Sequence, residues 1–332
     1  MRDVADAAGV GLATVSRVVN GVDTVNQATA DEVRKVIDRL GFQRDEVARS
    51  LRPGQSSLTL GLMLGDLTNP FWSQLAKGAI GQAKGSGYSV LVGSADEDPT
   101  TERRAVDELI SRRVAGLIIV PGSGDHRFLQ DRDQRLRVPV VFVDRPARGV
   151  DTDVVSFDND RGGRLATRHL LDHGHVRIGI VVAPAYYTTG LRLRGYRRVL
   201  REAGVPVDDA LVAQLRHGSA DEAATATRAL LESPDPPSAI FATTNFLTEG
   251  VLAALGRRHS SVAVVGFDDF RLAALLPTPV TVVAANTEEL GRRAAELLLD
   301  RIDGNDAASR RVVLPVSLIE RGSGEIAPPR LG

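Results

Sequence analysis

The stretch LTLGLMLGDLTNPFWSQLAKGAIGQAKGSGYSVLVG, residues 58–93, decides the fold. It reads as an uninterrupted apolar strand (58–64), a polar break at Gly65 and Asp66, an amphipathic helix near Phe71–Ser86 and a second apolar strand (88–93). Strands without polar alternation are buried on both faces, and such strands belong to parallel sheets covered by helices. The unit repeats. A helix near Thr101–Arg113 leads to VAGLIIVPG (114–122), and VPVVFVD (138–144) follows. A second set runs through VRIGIVVAP (176–184), a helix near Arg192–Ala203, the segment ALVAQL (210–215) and a helix near Ala220–Glu232. It closes with SAIFATTN (238–245), a helix near Leu247–Arg258 and VAVVGFDD (262–269). Two sets of alternating β and α units predict an α/β core, residues 58–332, of two similar subdomains, each a parallel sheet with helices on both faces.

In open parallel sheets, ligands bind outside the carboxyl ends of the strands. Four strands here end in a polar side chain: Asp66, Asp144, Asn245 and Asp268. Spread over both sets, they predict one polar cleft shared by two lobes.

Residues 1–44 have a different texture, with short helices only. DVADAAGVGLATVSRVVNG (3–21) reads as a helix-turn-helix. Val4, Ala7 and Ala8 are expected inward on a first helix, Gly9 supplies a left-handed stop, and a second helix runs from Leu12 to Val19. With Val15, Val18 and Val19 inward, Leu12, Ala13, Thr14, Ser16, Arg17 and Asn20 form a short polar face that suits a major groove. A third helix is expected to start on a capping box of Thr29 and Glu32, with Val33, Val36, Ile37 and Leu40 as its stripe and Gly41 as its end. Three helices packed for another purpose fit the same spacing. Residues 1–57 carry eight basic and eight acidic side chains, so no bulk positive charge marks nucleic acid here. Residues 45–57, a short helical stretch and then RPGQSS, read as a hinge and linker.

The chain has 332 residues, is 43% hydrophobic and 25% charged, and carries a net charge of −1. Any binding of nucleic acid must therefore come from local placement of charge. It has no cysteine, which excludes disulfides, thiol nucleophiles, iron–sulfur clusters and Cys-type zinc sites. The polar start MRDVADAAGVG lacks the apolar segment of a secretory signal, and no apolar run reaches membrane-spanning length, so a cytoplasmic protein is expected.

These motifs resemble, in order, those of the LacI/GalR family of bacterial repressors. The resemblance is carried by the headpiece stretch 3–21, VARSLR (47–52), LTNPFW (67–72), ADEDPTTE (95–102), RRVAGLIIVP (112–121), VVFVDRP (140–146), FDNDRGG (157–163), HLLDHGH (169–175), VVGFDD (264–269) and LGRRAAELLLDRI (290–302). It implies a homodimer in which each chain has a helix-turn-helix headpiece, a hinge helix and a two-lobed core like periplasmic sugar-binding proteins. The lobes would comprise about 58–157 with 288–315, and about 158–287 with 316–332. The resemblance places Leu12, Ala13 and Arg17 on base edges, Arg17 on guanine and the apolar pair on thymine methyls. It places Thr14, Ser16 and Asn20 on phosphates, and Val47, Ala48 and Leu51 in the minor groove of a pseudo-palindromic operator, with Leu51 as the wedge.

Departures from the family pattern are local. The family usually has a few residues before this start, including a hydroxyl cap for the first helix, and Met1 falls where the first helical residue would be, so either the true start lies upstream of Met1 or that helix is poorly capped. Gly11 stands for the usual Ser cap of the second helix, and Arg44-Asp45 for the Pro-Asn that usually opens the hinge, so Asp45 and Glu46 bring negative charge toward phosphates.

By the same resemblance Arg192, in TTGLRLRGY, clamps effector oxygens, with Asp144, Asn245 and Asp268 at the cleft and Asp66, Asn69 and Trp72 in the first-strand motif. Trp72, the only tryptophan, is either a face for a sugar's C–H surface or a core residue, and Asp268 either binds ligand or holds a strand end. Acceptors and one Arg fork suit a polyhydroxylated ligand, a sugar or its phosphate. Phe246, where the family usually has Asp, and Ala285, where many members have Gln, leave a purine-type ligand open. His169 and His173, four apart on an expected helix, and His175 have no nearby Cys or paired carboxylate to complete a metal site. GSGDH (122–126) lacks the lysine of a phosphate loop. No nucleophile with its base is legible, so no catalytic residue and no cofactor is implied. Two other classes share this core: a transport solute-binding protein, which needs an export signal and has no headpiece, and a sugar-acting enzyme. The reading is a DNA-binding repressor under effector control.

Overall fold

The computed structural model describes residues 1–19, 22, 24–42, 57–95, 98–129, 138–183, 186–256 and 261–329. Asn20, Val47, Ala48 and Leu51 lie outside the described residues, as does the expected hinge helix. Contacts divide the chain into two units, Met1–Ser57 and Leu58–Gly332.

The first unit has three helices, α1 (Arg2–Ala8), α2 (Leu12–Val19) and α3 (Gln27–Leu40). Val4, Ala5, Val15, Val33 and Val36 are its buried core. Ala5 packs inward where Ala7 was expected, and Leu40 is 47% exposed, Phe42 beyond Gly41 packing against the core instead. α1 has Met1 at its N-cap position with no side-chain cap. Gly9 ends it at φ 63°, and the N–H of Val10 donates to the Ala5 carbonyl, so three residues make the turn into α2. α3 does not start on the Thr29–Glu32 box. Asn26 caps it, its side chain accepting from the Ala28 N–H at 2.9 Å, which leaves Thr29 inside the first turn.

The second unit holds two six-stranded sheets. The first comprises β1 (Thr59–Leu64), β2 (Ser89–Ser94), β3 (Gly116–Ile119), β4 (Val140–Val143), β5 (Asp153–Phe157) and β11 (Arg311–Leu314), in the order β11-β5-β4-β3-β1-β2 and all parallel. The second comprises β6 (Ile178–Val182), β7 (Val212–Gln214), β8 (Ala239–Ala242), β9 (Ala263–Phe267), β10 (Thr281–Ala285) and β12 (Val316–Ile319), in the order β12-β10-β9-β8-β6-β7. Its edge strand β12 runs antiparallel to β10, a departure from the expected all-parallel sheet. The chain re-enters this lobe directly from β11, with no helix to reverse it.

Side-chain alternation explains the helix layers. Leu62, Leu64 and Ile118 face one side of the first sheet, packing with α4 (Pro70–Gly85) and α10 (Thr287–Ile302); Met63, Leu117 and Ile119 face α5 (Pro99–Ser111) on the other. In the second sheet Ile178, Ile180 and Phe241 face α6 (Asn159–Asp172) and α7 (Tyr187–Glu202). Val181, Ile240 and Ala242 face α8 (Ala220–Leu231) and α9 (Asn245–Leu255). Both faces of the central strands are apolar, hence their uninterrupted runs, whereas β2, expected to be buried like them, is an edge strand with Leu91 and Val92 exposed. The strand order reverses at β1/β3 and at β6/β8, so each lobe opens its crevice at the carboxyl ends of those strands.

The chain crosses between lobes after Phe157, after Ala285 and after Leu314. Two of these crossings are tied, the Asp158 N–H donating to the Leu314 carbonyl at 3.1 Å. Beside them, Asp153 accepts from Arg301 and Arg310 and fastens the returning α10 to β5. Burial works to raise the Asp153 carboxyl, but these bonds outweigh it and hold it at about 2.

Candidate functional site

In the first unit the candidate surface is α2. Val15 is buried, Thr14, Ser16, Val18 and Val19 are half-buried, and Leu12, Ala13 and Arg17 are exposed on the outer side. A helix of two turns with its apolar side spent on the core offers few side chains to a partner, and Arg17 is the one cation among them.

In the second unit the strand ends converge on a cavity of about 170 Å3 between the lobes, lined by Asp66, Asn69, Trp72, Asp144, Arg192 and Asp268. Asp66 follows β1, and its carboxylate accepts from the N–H (2.8 Å) and hydroxyl (2.7 Å) of Thr68, fixing the turn that leads into α4. Asn69 caps that helix, accepting from the Phe71 N–H, with Pro70 at the first helical position. Its side chain then crosses the cleft. Asn245 Nδ2 donates to Asn69 Oδ1 at 2.8 Å, and Asn69 Nδ2 to Asn245 Oδ1 at 3.3 Å, a reciprocal amide pair joining the starts of α4 and α9. Asn245 thus lies beside the cavity, committed to the other lobe.

Asp144 and Asp268 occupy matching places, the ends of β4 and β9. Both are left-handed, at φ 74° and 66°, a conformation Asp tolerates better than most residues but which still costs about 1–2 kcal/mol. Each N–H donates to the neighbouring strand, Asp144 to Val155 (2.8 Å) and Asp268 to Val283 (2.9 Å). The sharp turn leaves each carboxylate on the cavity wall. Strain repeated at equivalent sites of two lobes is a mark of function that no residue pattern carries.

Arg192 sits in the interior of α7, which begins at Tyr187, five residues earlier than the sequence suggests. It is 3% exposed. Its Nε donates to Asn159 Oδ1 (2.9 Å), its Nη1 to the Thr243 carbonyl (2.5 Å) and to Asp268 Oδ2 (3.2 Å), and its guanidinium lies 3.4 Å above the Phe267 ring. Among the described residues, Nη2 has no hydrogen-bond partner. Burial pushes the Asp268 carboxyl up, against the pull of Arg192. The helix carrying Arg192 approaches α6 closely at Gly163, where a Cβ would stand 2.1 Å from the Arg192 carbonyl oxygen.

Trp72 packs as a core residue and also borders the cavity. It is 8% exposed, meets Phe71 edge-to-face at 4.7 Å and presses on the Gly65 backbone, yet its remaining surface lines the cavity. Sequence reasoning missed Arg145, Tyr186, Thr188 and His217, which also line the cavity, and Asn159, which orients Arg192 from the first crossing. Arg145 and Asn159 stood inside quoted motifs without a role. Phe246 lines the cavity and gives it an apolar wall, while Ala285 closes β10 and brings no polar group.

The histidines need a correction. The helix ends at Asp172, so His173 is its C-cap. His169 does have carboxylates beside it: its Nε2 lies 2.8 Å from Glu325, and Glu320 falls in the same group within 4.8 Å. They come from the far end of the chain, out of reach of any spacing argument. Glu325 already accepts from the Gly322 N–H and the Thr281 hydroxyl, so it fastens the C-terminal strap to the sheet.

Residues 1–45 match the family described as bacterial regulatory proteins, lacI family, and residues 167–324 match a periplasmic binding protein-like domain. The ribose operon repressor of Escherichia coli (strain K12) is 32% identical over 331 residues, covering 97% of this chain and 99% of that protein. A structure described as a transcriptional regulator CelR–cellobiose complex is 31% identical, with a TM-score of 0.73 over 97% of this chain and 98% of that one. The lac repressor dimer bound to operator and the anti-inducer ONPF is 26% identical, with a TM-score of 0.84 over the same shares. Among the described residues no helix is long and apolar enough to cross a membrane.

Proposed function

The chain belongs to the lacI family of bacterial regulatory proteins, and from that membership we propose a repressor whose grip on operator DNA is set by a sugar or sugar derivative held between the lobes of its core. It is a DNA-binding transcriptional regulator, like the relatives that match its whole length, rather than an enzyme. In this reading it works in the cytoplasm on a pseudo-palindromic operator. Arg17 pairs with guanine, Leu12 and Ala13 meet thymine methyls, and Thr14, Ser16 and Asn20 bond phosphates. Val47, Ala48 and Leu51 enter the minor groove. The joint exposure of Leu12, Ala13 and Arg17 supports the first part.

Two copies act together. Exposed Ile80, Leu91 and Val92 around the edge strand β2, and Leu272 and Leu275 after β9, are the apolar surface a second copy would cover.

One observation carries the effector reading. Arg192 is buried, fixed at three polar atoms and a ring, and still has one nitrogen to offer beside the strained Asp144 and Asp268. A preorganised donor flanked by acceptors binds hydroxyls at little ordering cost. Asn159 joins this donor to the first lobe crossing, so ligand contact and lobe motion are coupled. Such coupling is typically about 1–3 kcal/mol, or 5–150-fold in operator affinity.

The test is fluorescence anisotropy with a palindromic fragment from the chain's own promoter, a scrambled duplex and a salt series. Binding to the palindrome alone, altered by a sugar in the native chain but not in Arg192→Ala, is the expected result. Equal weak binding to both duplexes refutes sequence-specific recognition. An effector response that survives Arg192→Ala refutes the clamp.

A further inference from the structure

The cleft does not end at the inner cavity. Past Arg145, Tyr186 and His217, which line both spaces, it continues into a chamber of about 790 Å3. The inner space, about 170 Å3, accommodates one small polyol and has three carboxylates on its wall. The outer chamber has the opposite chemistry. Arg148 enters it from the first lobe, and Arg216 and His217 enter from the second. Asp98 is the one carboxylate among its described lining residues, and it is engaged as the cap of α5, accepting from the Thr101 N–H at 2.7 Å. Among the described residues, neither the Arg148 nor the Arg216 guanidinium has an ion-pair partner.

These cations are held by built backbone. The Arg148 carbonyl accepts from the His126 N–H at 3.0 Å, and Gly149 follows at φ 79°. His126 is itself fixed by the buried carboxylate of Glu102 at 2.5 Å, which also takes the Gly122 N–H. Across the chamber, Glu222 accepts from the N–H groups of His217 (3.0 Å) and Gly218 (3.1 Å), and the Tyr186 hydroxyl donates to the His217 carbonyl. Two guanidiniums on opposite lobes, neither ion-paired among the described residues, repel each other whenever the cleft narrows. An anion between them reverses that sign. Guanidinium forks match phosphate geometry, and the inner carboxylates repel a phosphate while accepting hydroxyls, so the two spaces orient a ligand that has both ends.

We propose that the effector is a phosphorylated polyol, a sugar phosphate ester, with its hydroxyls in the inner cavity and its phosphate between Arg148 and Arg216. The proposal rests on the sugar reading of the inner cavity and adds the anionic end. A bridging dianion favours the narrowed cleft, so the ester and its parent sugar differ in how far they drive closure.

The test is calorimetric titration of the full chain with matched pairs: ribose and ribose 5-phosphate, glucose and glucose 6-phosphate, fructose and fructose 6-phosphate, with inorganic phosphate alongside. One ester is expected to bind about 100-fold tighter than its parent. Arg148→Ala and Arg216→Ala should each weaken that ester about tenfold without weakening the parent, with Arg216→Lys intermediate. Unchanged unfolding midpoints of the ligand-free variants verify that they fold. A parent sugar that binds as tightly as its ester, or a double alanine variant that binds the ester like the native chain, overturns the phosphate subsite and leaves the polyol cavity standing. If the native chain binds neither sugars nor esters, the sugar reading falls and the subsite with it.

Discussion

Replacing Arg192 by Met tests the central claim about the cleft, because the side chain removed is both a clamp and a counter-ion. Met fills a similar channel against Phe267 but leaves Asp268 buried with no cation. Breaking a buried pair from one side costs about 3–5 kcal/mol, most of it the penalty of the charge left behind. Replacing Asp268 by Asn as well removes that charge, and the remaining loss is that of the Thr243 carbonyl and the Asn159 amide, about 1–3 kcal/mol. The double variant should therefore be more stable than the single one by about 2 kcal/mol at pH 7.5. The pH dependence has a definite sign. The Asp268 carboxyl is already raised by burial, and without Arg192 nothing opposes that. A folded-state value above the unfolded one makes stability fall as pH rises above the ordinary carboxylate value of 3.8, until the raised value is passed. The gap between the two variants should thus be wide at pH 7.5 and nearly closed at pH 4. Urea unfolding of the core, followed by far-UV circular dichroism at both pH values, reads it directly. Equal stability at pH 7.5, or a gap that ignores pH, would refute the claim that Arg192 is the counter-ion of a buried carboxylate.

Arg17→Ala removes the exposed cation of α2 and should abolish discrimination between operator and scrambled duplex in anisotropy while leaving the headpiece folded, since its core is Val4, Ala5, Val15, Val33 and Val36; retained discrimination would move recognition elsewhere. Asp153, held at about 2 by Arg301 and Arg310, adds about 2 kcal/mol that is fully present above its unfolded value and lost as pH falls from about 4 through 2. Asp153→Asn should flatten that acid limb of the stability curve, and an unchanged limb would assign it to other groups. Gly163→Ala puts a methyl against the Arg192 carbonyl, should destabilise the core by about 1–3 kcal/mol and should weaken effector binding by displacing Arg192. Unchanged unfolding and affinity would mean that α6 and α7 separate freely.

Much of this molecule follows from local chemistry. Uninterrupted strands such as 60–64 and 262–267 read as central parallel strands, because no polar position offers a solvent face. The polar residues that end them could only lie at the carboxyl edge, where an open sheet binds. The turn at Gly9–Gly11 and the outward side of α2 were equally legible, since helical spacing fixes which side chains are left over after Val15 turns inward. Helix starts were less so. Asn26 competes with Thr29 for the same cap, and which one wins depends on where the turn before α3 releases the chain.

What the sequence could not determine is everything that depends on residues far apart in the chain becoming neighbours. That Arg192 is tied to Asn159, Thr243 and Asp268 at once, or that Asn69 meets Asn245, is a property of how α4, α7 and α9 are set by their sheets. The left-handed turns at Asp144 and Asp268 are likewise unpredictable from residue type, because most Asp residues do not take that conformation and here a bond to a neighbouring strand offsets the strain. Local propensity and periodicity determined the elements and the edge on which the site lies. Close packing of two lobes across three crossings decided which of those edge residues act together, because side-chain geometry across a cleft is set by distances that no one-dimensional pattern contains.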